Sequence, residues 1–381
     1  MLNKELLEEN STIHAPSRYA AFAAIAFVFV MLVGAWQMIS ALWSPGRLEF
    51  PRTLLDFREG RTTGTLEKQL DHKLPDRSTI IATANSLRYL LTGGGGDQVR
   101  TGKDNWLFLT DELRFYPDGN VHLQARAKMF AGAARGLERQ GVKLVLALVP
   151  DKARLYSDKL SSGQYPAYNQ SRYEDALKAL RKQNVLVVDL LTPLASAAAQ
   201  GQVYYRSDTH WNQAGAQVSA DAVASGVRRL GVELEKTTFV TAVAGEETDR
   251  PGDLIRLMGL VNTPNVFRPP SDKEIPVVTK QTSVEGVAGL FGDVAVPVAL
   301  TGTSYSLRGN FHGFLQQALS AKVLNTAKDG GGLLQATTAY LTNDAFKSAK
   351  PKVLVWEVPE RFLHAKLEEE PKWLASVGFL P

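Results

Sequence analysis

Hydrophobic positions along this chain switch between two spacings. From His122 to Gln140 apolar residues recur at helical intervals, and the pattern then becomes the unbroken apolar run Val142–Val149, stopped by Pro150. A second helix, around Leu177 and Leu180, leads into the strand-like Val185–Asp189. A third, Asn212–Leu230, is Ala-rich and ends at Gly231, the residue type that most easily takes the left-handed turn closing a helix. Between Val232 and Asp293 the periodicity loosens and prolines scatter, which predicts an irregular insertion over about 232–293. Regularity returns with a strand at Val294–Leu300, helices at Phe311–Ala321 and Leu333–Phe346, and a last strand at Val353–Val358. Strands that are apolar throughout are buried on both faces, so their alternation with helices predicts an α/β fold whose mostly parallel sheet is covered by helices on both sides. Sites in such sheets form at the carboxyl ends of the strands.

The N-terminal portion follows a different pattern. Tyr19–Gly46 is a stretch of 28 residues without Asp, Glu, Lys or Arg, apolar all round, with Trp36 and Trp43 toward one end. It is long enough for a bilayer core, which needs roughly 20 apolar residues. A cleaved signal peptide would have a shorter apolar region ending in a small-x-small site, whereas bulky Trp, Gln, Met and Leu follow here. The chain is therefore expected to comprise a short tail (1–18), a transmembrane signal anchor (19–43) and one domain (44–381). Within that domain Leu66–Leu91 reads as a helix, broken by the four glycines Gly93–Gly96. Lys4 and Arg18 precede the span while Arg47, Arg52, Arg58 and Arg61 follow it, a count that by itself favours a cytoplasmic body.

Composition removes several functions. With no cysteine in 381 residues, disulfide scaffolds, thiolate zinc sites and a Cys nucleophile are excluded. A net charge of +4, from 43 basic against 39 acidic residues scattered along the chain, gives no footprint for a nucleic-acid partner. His72, His122, His312 and His364 share no ligand spacing, so neither a metal nor another cofactor is expected.

Two segments carry chemistry. In Tyr204-Tyr205-Arg206-Ser207-Asp208-Thr209-His210-Trp211-Asn212, Asp208 and His210 are two apart, so in extended backbone their side chains project to one side and a carboxylate can hold the imidazole. The competing assignment has Asp208 or Asn212 capping the next helix and His210 merely packed. The strand Val294–Leu300 runs into Thr301-Gly302-Thr303-Ser304-Tyr305-Ser306, and strand, glycine turn, serine, helix is the arrangement that presents a nucleophilic hydroxyl at a sheet edge. Ser304 or Ser306 could equally cap the helix that follows. Together the segments supply nucleophile, base and orienter.

These residues resemble the polysaccharide O-acetyltransferases of the alginate type, the AlgJ/AlgX-like family with an SGNH-hydrolase-like domain, over most of residues 60–365. Asp208-Thr209-His210-Trp211 and Gly302-Thr303-Ser304-Tyr305 match its two principal motifs. Gly102-Lys103-Asp104-Asn105-Trp106-Leu107-Phe108, Val149-Pro150-Asp151-Lys152 and Trp356-Glu357-Val358-Pro359-Glu360-Arg361 resemble three supporting segments. The resemblance implies a flavodoxin-like, circularly permuted SGNH fold with Ser304 as nucleophile, His210 as base and Asp208 as orienter. It further implies an exported exopolysaccharide as acceptor, alginate first and acetylated cellulose second, a membrane-bound O-acyltransferase as acetyl donor, and a body on the periplasmic side of the inner membrane despite the arginine count. Around this centre, Lys152 and Arg154 are candidate contacts for an anionic sugar and Tyr305 for stacking on a saccharide. Glu357 and Arg361, four apart, predict a structural ion pair, and Trp106 and Trp211 are expected to pack beneath the site. An esterase with the same triad, or a silent polysaccharide-binding subunit, are the alternatives.

Overall fold

The computed structural model describes residues 18–43, 77–284 and 296–379, so the tail before residue 18, the helix start expected at Leu66 and the strand start expected at Val294 lie outside the described residues. The chain divides into two compact units, Met1–Ile81 and Ala82–Pro381. The first contains helix α1 (Arg18–Trp43), which has no acid in its first turn and no base in its last. Its Phe27, Phe29, Leu32 and Trp36 side chains are exposed. Counting only described residues, no helix is long and apolar enough to cross a membrane.

After helix α2 (Arg77–Thr92) comes the antiparallel pair β1 (Val99–Thr101) and β2 (Leu107–Leu109). Helix α3 (Gly119–Glu138) then delivers the chain to β3 (Lys143–Val149), and α4 (Arg172–Lys182) to β4 (Val187–Asp189). Helices α5 (Leu191–Ala198) and α6 (Gln213–Arg228) follow. The segment expected to be irregular holds two antiparallel pairs. Strands β5 (Thr237–Val243) and β8 (Val277–Val284) form one, enclosing β6 (Thr248–Arg250) paired with β7 (Asp272–Glu274). The α/β pattern resumes with β9 (Val298–Thr301), α7 (Phe311–Leu319), β10 (Val323–Asn325), α8 (Gln335–Thr342), β11 (Val353–Pro359) and α9 (Glu370–Ser376).

Five strands make one sheet in the order β10-β9-β11-β3-β4, every neighbouring pair parallel. Side chains alternate faces along a strand, and β3 shows the result. Val145, Ala147 and Val149 belong to the core under α6 and α7, whereas Leu144, Leu146 and Leu148 belong to the core under α3, α4 and α9. That two-sided burial is why the run reads as continuously apolar. The helix expected over Leu333–Phe346 is in fact two, because Asn343 leaves helical geometry and its side chain accepts the Ala345 N–H at 2.8 Å, starting a new turn at Asp344. All five strands of the sheet point their carboxyl ends the same way, so the turns after β9, β11 and β3 open on one edge.

Candidate active site

The serine turn is built by its neighbour strand. β9 ends at Thr301, and Gly302 has φ +144°, where a Cβ would stand 2.6 Å from the Glu357 carbonyl oxygen, so only glycine fits both the dihedral and the space. Glu357, wholly buried on central β11, accepts the Thr303 N–H at 2.7 Å, the Thr303 hydroxyl at 2.9 Å and the Ser306 hydroxyl at 3.2 Å. Burial pushes the Glu357 carboxyl up, and the donors from Thr303 and Ser306 act against that rise. Glu357 therefore anchors the turn instead of forming the ion pair expected with Arg361, and Ser306 faces inward. Ser304 is left half-buried and turned toward the second loop.

That loop is closed on itself. Tyr204 and Trp211 form an antiparallel bridge, Tyr205 N–H donates to the His210 carbonyl at 3.2 Å, and Asn212 caps α6 by accepting the Gly215 N–H at 3.0 Å. Asp208 is thus free of capping and serves His210. Its Oδ1 lies 2.6 Å from His210 Nδ1 and accepts the His210 amide at 2.9 Å. A carboxylate only accepts, so Nδ1 carries the proton and the lone pair of Nε2 faces the Ser304 hydroxyl, 2.6 Å away. The Tyr305 ring packs edge-on against the imidazole with centroids 4.8 Å apart. Ser304, His210 and Asp208 form one hydrogen-bonded chain.

The segment between β5 and β8 completes the setting, and its residues carried no sequence signal. Arg250 donates to Asp208 Oδ2 at 3.0 Å, and the Asp253 amide reaches the same oxygen at 3.1 Å. Burial alone would raise the Asp208 pKa, but the hydrogen bond and charge of His210 and the charge of Arg250 outweigh it and hold the carboxyl well below its usual range. Asp253 accepts the Thr209 N–H at 2.7 Å and brings Oδ2 to 3.6 Å from His210 Nδ1. Its pKa is raised, by burial first and by the Asp208 charge second. Asp272 accepts the amides of Arg206 and Ser207 at 2.9 and 2.8 Å. The insertion comes so close that a Cβ on Gly252 would sit 2.0 Å from the Ser207 carbonyl oxygen.

The three residues expected to meet the sugar do otherwise. Lys152 is fully buried, and its ammonium is spent on backbone carbonyls of the His210 loop. Arg154 pairs with Glu360 and donates to the carbonyls of Asn169 and Gln170, which leaves its guanidinium engaged inside the fold. Tyr305 is fully buried and donates its hydroxyl to the Thr209 carbonyl at 2.9 Å. A charge after a strand end reads alike in sequence whether it turns outward or under the sheet. Trp106 and Trp211 are buried as expected, Trp211 with its ring 4.9 Å from Tyr305.

The ligand atoms of Asp208, His210 and Asp253 lie within 4.8 Å of one another, near enough to hold a cation. A metal on Nδ1 would move the proton to Nε2, where the ring would no longer accept from Ser304. Metal binding there and activation of the serine exclude each other.

The family "SGNH hydrolase-like domain, acetyltransferase AlgX" matches residues 99–360. The probable alginate O-acetylase AlgJ of Pseudomonas putida is 35% identical over 345 residues, covering 88% of this chain and 89% of the relative. Its counterpart in Pseudomonas aeruginosa is 35% identical over 370 residues, covering 92% and 91%. Among solved structures, the O-acetyltransferase domain of Pseudomonas putida AlgJ superposes with a TM-score of 0.64 at 35% identity, over 73% of this chain and 98% of that one. Pseudomonas aeruginosa AlgX, at 23% identity and a TM-score of 0.55 over 74% and 67%, shares the fold. The chain belongs to the AlgJ/AlgX-like family of SGNH-hydrolase-like acetyltransferases.

Proposed function

We propose that this protein transfers acetyl groups to hydroxyls of an exported exopolysaccharide, alginate first and acetylated cellulose second, through an acetyl ester on Ser304. The observation that carries the reading is the continuous chain Ser304–His210–Asp208, with 2.6 Å at each link. In the first half-reaction His210 Nε2 takes the Ser304 proton as Oγ attacks the acetyl carbonyl; the tetrahedral adduct collapses, and the departing donor oxygen or sulfur takes that proton back. In the second, the sugar hydroxyl gives its proton to Nε2, attacks the acetyl-serine and leaves as the acetylated sugar, the proton returning to Ser304. For the oxyanion, the Thr303, Tyr305 and Ser306 amides are committed to Glu357, Thr303 Oγ1 and the Thr303 carbonyl. Among the described hydrogen bonds that of Ser304 is not, which leaves it for the developing negative charge.

Family kinship supports a donor delivered by a membrane-bound O-acyltransferase and a body on the periplasmic side of the inner membrane. The charge-free stretch Tyr19–Gly46, most of it in helix α1, supports an anchor there. The test is acetyl turnover by the purified full chain in detergent, with a nitrophenyl acetate as donor and acceptor oligosaccharide added. Slow nitrophenol release and acetylated sugar, both lost in Ser304→Ala and His210→Ala, are expected. Deacetylation of polymer without transfer would make it an esterase, and equal behaviour of wild type and Ser304→Ala a binding subunit.

A further inference from the structure

Lys152 fastens the loop that carries Asp208 and His210 from below. Lys152 follows β3 at the start of the helical turn Lys152–Leu155, and its Nζ lies 3.0 Å from the Tyr205 carbonyl, 3.0 Å from that of Arg206 and 2.8 Å from that of Asp208. An ammonium has three N–H donors and no acceptor, so three carbonyls satisfy it completely. The Arg206 carbonyl is shared with the Leu107 amide of β2, at 3.0 Å. Two aromatic rings close the space beside the cation: the Trp106 and Phe108 centroids stand 5.4 and 5.2 Å from Nζ, within cation–π range. Trp106 is itself stacked on Tyr156 at 4.3 Å. The segments Gly102–Phe108 and Val149–Lys152, which had no assigned task, therefore converge on the backbone of the candidate catalytic loop.

We propose that Lys152 is a positioning residue: clamped to the carbonyls of Tyr205, Arg206 and Asp208, it fixes the Asp208 carboxylate, and through it the His210 ring, in register with Ser304. Nothing else described in the fold bonds all three carbonyls. Lys152 is sealed beneath the loop and touches no reacting atom, so it acts only through Asp208. The acids whose charge reaches it are Glu112 from the turn after β2, Asp208, and Asp272 and Asp253 from the insertion. Burial pulls the ammonium down to about 8 against these four acids. Once the proton is gone, two donors face three carbonyls and the clamp is incomplete.

The proposal rests on the acetyl-serine reading for its kinetic arm and is independent of it for its spectroscopic arm. In the full chain in detergent, the nitrophenol burst counts competent sites, so a merely structural loss lowers burst amplitude and a positioning loss lowers the rate at constant amplitude. Lys152→Met is expected to lower kcat about 100-fold with KM and burst amplitude unchanged, the usual scale for a displaced catalytic group. Lys152→Arg, which keeps the charge but presents a planar fork, should recover about tenfold of that loss and lack the alkaline limb expected of wild type near pH 8. Where neither variant folds, 15N-lysine NMR of the unaltered chain decides: one ammonium should hold its three protons against solvent exchange at pH 7 and lose them near pH 8. Wild-type kcat in Lys152→Met, a wild-type alkaline limb in Lys152→Arg, or the absence of any protected ammonium overturns the clamp. If Ser304→Ala turns over as wild type does, the acetyl-serine reading falls while a protected ammonium still stands.

Discussion

Arg250 reaches Asp208 Oδ2 at 3.0 Å, on the carboxylate oxygen that His210 leaves open, and its guanidinium lies 3.9 Å from the centre of the Tyr205 ring. A residue of the insertion thus joins His210 in holding the group that orients the imidazole in its charged form. Arg250→Gln removes a charge-assisted bond worth about 1.5–3 kcal/mol, so kcat/KM should fall roughly tenfold to a hundredfold. Asp208 has a depressed pKa, and the stability it contributes is present above the unfolded value near 3.9 and lost as pH falls through the folded one. The variant should therefore melt lower at neutral pH, with the deficit fading only in strong acid. Calorimetry across pH checks this, and a constant deficit would contradict it.

Asp253 offers His210 a second carboxylate, 3.6 Å from Nδ1. Asp208→Ala should accordingly retain more turnover than Ser304→Ala, because Asp253 can take over part of the orientation. Asp208→Ala combined with Asp253→Ala should drop to the level of Ser304→Ala, since residues acting as a unit lose activity non-additively. Single-turnover rates for these three variants read this directly. Equal losses in both Asp208 single and double variants would remove Asp253 from the account.

Gly302→Ala places a Cβ 2.6 Å from the Glu357 carbonyl oxygen at φ +144°. Strain of both kinds should cost about 2–4 kcal/mol. Urea titration should show that loss, with the slope unchanged. A variant as stable as wild type would mean that the turn relaxes freely.

The charge-free stretch Tyr19–Gly46 should keep the protein with membranes through high-salt washing and release it only in detergent. A reporter fused after Pro381 should be active outside the cytoplasm. Recovery of a soluble protein beginning near residue 44 would show instead a cleaved signal.

The parts legible in the sequence were those whose environment is uniform. β3 and β11 read as LVLALV and VLVWEV because both faces of each strand are covered, and Asp208 and His210 could be paired because two residues of extended backbone bring them to one side. β10, three residues at the sheet edge, offers too little periodicity to stand out. Arg250 and Asp253 meet the D-x-H loop from more than 40 positions away, through a fold of antiparallel ribbons that no local spacing announces. The placement of Lys152 and Arg154 is hidden for a related reason: sequence shows a cation at a strand end, and only tertiary packing decides which way it turns.

The sheet order also governs when this site can exist. β9 carries the serine, β3 and β4 lead to the histidine, and neither β3 nor β4 touches β9, because β11 lies between them. β11 is the strand nearest the C-terminus among the described residues. Glu357 on β11 accepts from Thr303 and Ser306, so the turn that presents Ser304 to His210 is complete only with residues 353–359 in the sheet. The nucleophile is thus positioned by the strand nearest the C-terminus among the described residues, 50 and more positions after the serine turn.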